Sequence, residues 1–245
     1  MEETQRKNKV IWKDTYRIVD HYPQEKSLKL DNVEFSESED IDKKIIKVFN
    51  EDTITTLLQV LKANFKPLVL IDANEMYSLE SAKHGVISTE CDFYRFTNIS
   101  AVVQESSYPL RDLEMIYCPK ITIFKNIQNK MLPKHLQFSL VLSPPIKRPA
   151  LISIKTENGM EDVYDHKSEE EKMQNKIENI FKLALNKGFN CLILTDFGCQ
   201  TGSNPIKKVV EMFNQAIKKY PIKYVFFSIK IEKNFKYFHN HITRS

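Results

Sequence analysis

Apolar positions along the chain follow two rhythms, short unbroken runs and longer stretches in which they recur every three or four residues. The first mark buried strands and the second amphipathic helices. The runs Leu68-Val-Leu-Ile-Asp72, Ile121-Thr-Ile-Phe124, Phe138-Ser-Leu-Val-Leu142, Cys191-Leu-Ile-Leu194 and Tyr224-Val-Phe-Phe-Ser-Ile229 predict strands, with Ile116-Tyr-Cys-Pro119 as an approach to one of them. Alternation over 27–35 predicts a further short strand. Helical spacing predicts helices over 10–18 (Trp12, Thr15 and Ile18 on one side), over 53–66 (Leu57, Leu58, Leu61) and over 89–103 (Phe93, Phe96, Val103). Two more cover 168–188 (Met173, Ile177, Ile180, Phe181, Ala184) and 206–220 (Val209, Val210, Phe213, Ile217). Ser168 with Glu171 predicts a capping box, and Asn204 an N-cap ahead of Pro205 at the first helical position. Residues 73–88 and 146–166 read as irregular, and 36–42 as a charged, solvated loop. Strands alternating with helices predict a three-layer α/β/α fold. One domain over 1–245, with a polar N-terminal extension of about ten residues, is expected because no linker interrupts the pattern.

The stretch Thr195-Asp-Phe-Gly198-Cys199-Gln-Thr-Gly202-Ser-Asn204-Pro205 joins a strand to a helix and carries two of the five glycines in 245 residues. A loop at the carboxyl end of a strand, leading into a helix N-terminus, offers N–H groups to an anionic ligand. Glycine at this low level, against about 7% in ordinary proteins, leaves few other places where backbone can approach phosphate.

Charge and cysteine usage narrow the class. Thirty-six Lys and Arg against 32 Asp and Glu, net +4, are interspersed without a basic stripe, which argues against a nucleic-acid partner. Four dispersed cysteines without a Cys-x-x-Cys read as reduced thiols of an intracellular protein. Neither a membrane-length apolar segment nor a signal-like N-terminus is seen, so a soluble protein without membrane association is expected. Cys199 has no histidine at a spacing that would make it a nucleophile. His239 and His241 have no carboxylate or cysteine cluster beside them, so no metal site is expected. Phe226, Phe227, Phe235, Tyr237 and Phe238 could stack on a base, although core packing is their commoner fate.

The order of these pieces resembles the microbial-type poly(ADP-ribose) glycohydrolase catalytic domain, a branch of the macrodomain superfamily, over roughly residues 9–242. The resemblance is carried by Trp12-Lys-Asp-Thr15, Leu70-Ile-Asp-Ala73-Asn74, Tyr108-Pro109, Met115-Ile-Tyr117-Cys-Pro119, Ser139-Leu-Val-Leu-Ser-Pro144, Leu194-Thr-Asp-Phe-Gly198-Cys199 with Asn204-Pro205, and Val225-Phe-Phe-Ser-Ile229. It implies a macrodomain-like fold and a cleft in which Asn74, Gly198, Cys199, Gly202 and Phe227 would contact ADP-ribose. Where the family has a triple-glycine diphosphate loop, this chain has Glu75-Met-Tyr-Ser-Leu-Glu80. Where the family has Gln-Glu-Glu, it has Thr89-Glu90-Cys91, with cysteine at the place expected for the acid/base glutamate. The resemblance with these losses implies a catalytically inactive member. Such a protein would act without a cofactor, as a structural or interaction subunit of a larger, cytoskeletal-type protein assembly. The alternative is an active ADP-ribose glycohydrolase or an ADP-ribose-binding module, using Glu90 and the 198–204 loop.

Overall fold

The computed structural model describes residues 1–242 apart from 35–42, 78, 158 and 201, so the loop expected at 36–42 lies outside the described residues. Seven strands form one mixed sheet: β1 (Leu28–Leu30), β2 (Ile45–Phe49), β3 (Leu68–Asp72), β4 (Met115–Lys125), β5 (Met131–Ser143), β8 (Cys191–Leu194) and β9 (Tyr224–Ser228). A separate hairpin is made of β6 (Leu151–Thr156) and β7 (Gly159–Tyr164). The large sheet runs β1-β4-β5-β3-β8-β9-β2. Strands β5, β3, β8, β9 and β2 are mutually parallel, while β4 is antiparallel to β5 and to β1.

The helices are α1 (Glu2–Tyr16), α2 (Thr53–Lys62), α3 (Leu79–Lys83), α4 (Thr89–Phe96), α5 (Ile99–Val102), α6 (Lys167–Asn186), α7 (Ile206–Lys219) and α8 (Glu232–His241). Successive strand side chains point to opposite faces, and this splits the apolar runs into two cores. Leu68, Leu70, Leu192, Leu194, Val225 and Phe227 pack with residues of α6, α7 and α8. Val69, Ile71, Ile193 and Phe226 pack with residues of α1, α2, α4 and α5. The result is the expected three-layer α/β/α arrangement.

Several local expectations are corrected. The helix over 89–103 is broken at Thr97, whose extended backbone pairs with Ile123, while Asn98 Oδ1 accepts from Thr122 N at 2.8 Å. Strand pairing outweighs helical periodicity there. Strand β4 is continuous across Pro119, because the register shifts between Cys118 and Ile121 and a bulge tolerates a residue without an N–H. Residues 146–166 hold the β6–β7 hairpin, and 73–88 contain α3. α1 begins at Glu2 and ends at Tyr16, leaving Ile18 outside it. Its Thr15 is fully buried, with Oγ1 donating to the Arg95 carbonyl.

Neither predicted cap forms as read. His166 holds the N-cap position of α6, which places Ser168 inside the helix. Pro205 holds the N-cap of α7, and the Asn204 side chain is used elsewhere. Its Nδ2 donates to the carbonyls of Ile146 (2.7 Å) and Gly198 (3.1 Å), and its Oδ1 accepts from Tyr164 Oη at 2.8 Å. Two caps do form at the helices that border the site: Asp52 accepts from Thr55 N at 2.9 Å, and Ser88 from Cys91 N at 3.1 Å. Among the described residues, no helix is long and apolar enough to cross a membrane.

Candidate functional site

Parallel strands leave a crevice beyond their carboxyl ends, and here β3, β8 and β9 open into one of about 240 Å³. Its walls come from the segments that follow these strands, from the starts of α2 and α4, and from Pro145 and Lys147 after β5. Among the described residues, six carboxylates line it (Glu51, Asp52, Asp72, Glu90, Asp92, Asp196) against two lysines, Lys147 and Lys230.

Asp72, the last residue of β3, ties the crevice together. Its Oδ2 accepts from Gly198 N at 2.8 Å and its Oδ1 from the Thr195 hydroxyl. Burial pushes its pKa up to about 6, and the nearby Asp196 carboxylate adds to the rise; the two hydrogen bonds act the other way. Asp196, 1% exposed, is raised mainly by burial. It is held by Gln200 Nε2 at 2.8 and 3.1 Å and by Asn234 Nδ2 at 2.6 Å.

These shifts fix a sign. An acid whose folded pKa exceeds its unfolded value of 3.8 binds its proton more tightly when folded. Asp72 therefore contributes stability below about pH 4 that is lost as the pH rises to about 6, and its ionised form is a cost at neutral pH. Asp72→Asn keeps an acceptor for Gly198 N–H and removes the charge, and its new amide N–H can donate to the Thr195 hydroxyl, which turns from donor to acceptor. Allowing for solvent at the crevice, the variant should be stabilised by on the order of 1–2 kcal/mol at pH 7.5 and by less at pH 4.5. Urea midpoints at the two pH values check this; equal differences at both would contradict the raised pKa.

Glu90 stands in the first turn of α4, where the helix dipole favours a carboxylate. It is 5% exposed, and its Oε2 accepts from Asn74 N at 3.0 Å. Asn74 lies just after β3, its Oδ1 accepting from Met76 N at 3.0 Å and from Lys147 Nζ at 3.4 Å. Cys91, the position expected for the lost glutamate, is turned into the core beneath α4, and burial raises its thiol pKa. Glu90, not position 91, thus faces the crevice.

Gly198 and Gly202 line the crevice, but local packing already requires both. Gly198 has φ 76°, and a Cβ there would meet Asn204 Nδ2 at 2.5 Å and Pro145 Cβ at 2.7 Å. A Cβ at Gly202 would meet the Gly198 carbonyl at 2.6 Å. The loop's N–H groups are not all open to a ligand, since Gly198 N serves Asp72 and Cys199 N donates to Asp196 O.

Cys199 is half-buried beside the crevice, and burial together with Asp196 and Asp72 holds its thiol well above the usual range, a protonated group. Phe227 is fully buried between Phe213 and Phe238, with centroids 5.1 and 5.4 Å away, so the structure places it in the core and away from the ligand face. Among the described residues, no group of His, Cys, Asp and Glu could hold a metal ion.

Asp196 and its link to Asp72 are functional features that the sequence analysis does not single out. The one available signal was an aspartate terminating each of two apolar strand runs.

No protein-family model matches the chain, and no curated protein matches it. Solved structures do match. Poly(ADP-ribose) glycohydrolase from Thermomonospora curvata superposes with a TM-score of 0.81 at 15% identity, over 96% of this chain and 99% of that one. The same enzyme bound to the inhibitor ADP-HPD gives 0.76 at 14% identity, over 95% and 98%. Poly(ADP-ribose) glycohydrolase from Deinococcus radiodurans in complex with ADP-ribose gives 0.65 at 13% identity, over 98% and 91%. At this identity the likeness establishes the fold, and the chemistry of this crevice rests on its own residues.

Proposed function

We propose that this chain is a catalytically inactive macrodomain-like protein with the fold of the poly(ADP-ribose) glycohydrolases, acting through protein contacts as a subunit of a larger assembly. One observation carries the reading. The Asp72 carboxylate already occupies Gly198 N–H, a donor that a loop of this kind would offer to a phosphate. A diphosphate entering the crevice would displace that carboxylate and meet Asp196 behind it. Each unit like-charge pair at about 4 Å costs from ~1 kcal/mol in water to ~4 kcal/mol near a protein surface. Glu75 and Glu80, in place of glycines, add charge and side-chain bulk to the segment after β3. Ile87 and Ile231, 55% and 42% exposed, border the crevice with apolar surface that a protein partner could cover.

A second reading, an active ADP-ribose glycohydrolase or ADP-ribose-binding module, is favoured by Glu90 alone, a buried carboxylate that faces the crevice. Calorimetry with ADP-ribose separates the two. The expected result is no heat at millimolar ligand in the wild type. Micromolar binding abolished by Gly198→Glu would overturn the reading of the crevice, and ADP-ribosyl hydrolysis lost in Glu90→Ala would overturn inactivity.

A further inference from the structure

A second recess, of about 500 Å³, lies on the far side of Pro145 and Lys147, between the segment after β5, the turn at 110–112 and α6. Its charge balance differs from that of the crevice. Asp112 is paired with Lys172 at 2.8 Å and Glu75 with Lys147 at 3.7 Å, while Glu169 accepts from Ala150 N at 3.1 Å. Two cations remain. Arg111 is exposed on the wall and, among the described residues, forms no ion pair. Lys176 is 5% exposed, and its ammonium donates to the Asp112 carbonyl, a neutral acceptor.

A buried ammonium normally has a carboxylate beside it, because desolvating an unpaired charge is costly. Lys176 has three N–H donors to satisfy, and no described carboxylate lies within ion-pairing distance of it. Burial, with Lys172 next in effect, pulls its pKa down to about 8, while the carboxylates of Asp112, Glu75 and Asp31 pull more weakly the other way. The Asp112 carbonyl that partners it belongs to a residue with φ 37°, a conformation that non-glycine residues rarely adopt.

We propose that this recess is an anion site in which Lys176, with Arg111 beside it, binds a phosphate group. The buried ammonium supplies charge and donors at the base, and a guanidinium suits a tetrahedral oxyanion at the rim. The inference does not depend on the reading of the acidic crevice, since the two hollows share only Pro145 and Lys147.

Thermal denaturation of the full chain in sodium phosphate, against sodium chloride of equal ionic strength, tests it. Phosphate should raise the melting temperature saturably. Lys176→Met, confirmed as folded by circular dichroism, should bind phosphate roughly tenfold or more weakly, the effect of losing a charge-assisted bond. Arg111→Ala, on the exposed wall, should give a smaller loss and serves if the Met variant does not fold. No saturable shift in the wild type, or unchanged affinity in both variants, overturns the proposal. A phosphomonoester such as AMP, run beside inorganic phosphate, identifies the source. Tighter AMP binding that is still sensitive to Arg111→Ala points to a nucleotide phosphate, and equal binding points to the free ion.

Discussion

Phe227→Ala should lower the unfolding free energy by about 3–5 kcal/mol, among the largest losses available to a single substitution in this chain. Phe227 has no exposed surface and lies on β9, which is flanked by β8 and β2 in the sheet. Its ring meets Phe213 of α7 edge-on and Phe238 of α8 at a tilt, so one side chain joins the sheet to both helices. Removing it deletes the transfer free energy of the ring and leaves a cavity that three rigid elements cannot close. Phe226, one residue earlier, faces the opposite core with Phe49 and Phe65 around it, so the pair cannot exchange roles. A urea titration should show the midpoint fall with an unchanged slope. A small shift would mean that Phe227 is less packed than its burial indicates, and would reopen the base-stacking role considered from the sequence.

The parts of the fold legible in the sequence are those buried on both faces. β3, β8 and β9 read as unbroken apolar runs because helices cover each side of a parallel strand. β2 escaped because, among the described residues, it is the edge strand and pairs with β9 alone: Lys47 interrupts its run and all five residues keep some exposure. The β6–β7 hairpin escaped for a related reason. Ile152, Ile154 and Met160 point to solvent, so its alternation does not look like a core pattern, although Asn158-Gly159 is a familiar hairpin dipeptide. Asn204 satisfied the local rule for a cap, yet its amide is engaged by groups 40 and 58 positions away.

The site was harder to read for the same reason, non-locality. The bond that defines it joins Asp72 to Gly198 across 126 positions, and nothing near either residue announces it. Gly198 and Gly202, expected to mark a special loop, do line the crevice. Why they are glycines emerges only from Asn204, Pro145 and the Gly198 carbonyl pressing on them. Cys91 and Glu90 show a third limit, since helical phase at the start of α4 decides which one meets the crevice and the triplet alone does not fix that phase.

Asp92→Ala should cost about 3–5 kcal/mol, and Arg95→Met distinctly less, although the two residues form one ion pair. Arg95 has a side chain 1% exposed, with Nη2 2.6 Å from Asp92 Oδ1 and Nη1 donating to the Val86 carbonyl at 3.0 Å. The Asp92 side chain is 26% exposed at the edge of the crevice, with Lys230 also near. Removing the carboxylate strands a buried guanidinium that cannot lose its proton and is left with the neutral Val86 carbonyl as an acceptor. Removing the guanidinium leaves a carboxylate with two escapes. Burial has already raised its pKa, the Arg95 charge is what holds that rise back, and residual solvent can hydrate it. The double variant should recover most of the loss and fall within about 1.5 kcal/mol of wild type, because no buried charge then remains. Urea unfolding of the four proteins in a double-mutant cycle measures the coupling. Equal losses for the two single variants would mean that the Arg95 site is wetter than its burial implies. Strict additivity would mean that the pair contributes no mutual compensation, and that the cost of Asp92→Ala comes from lost packing at the start of α4.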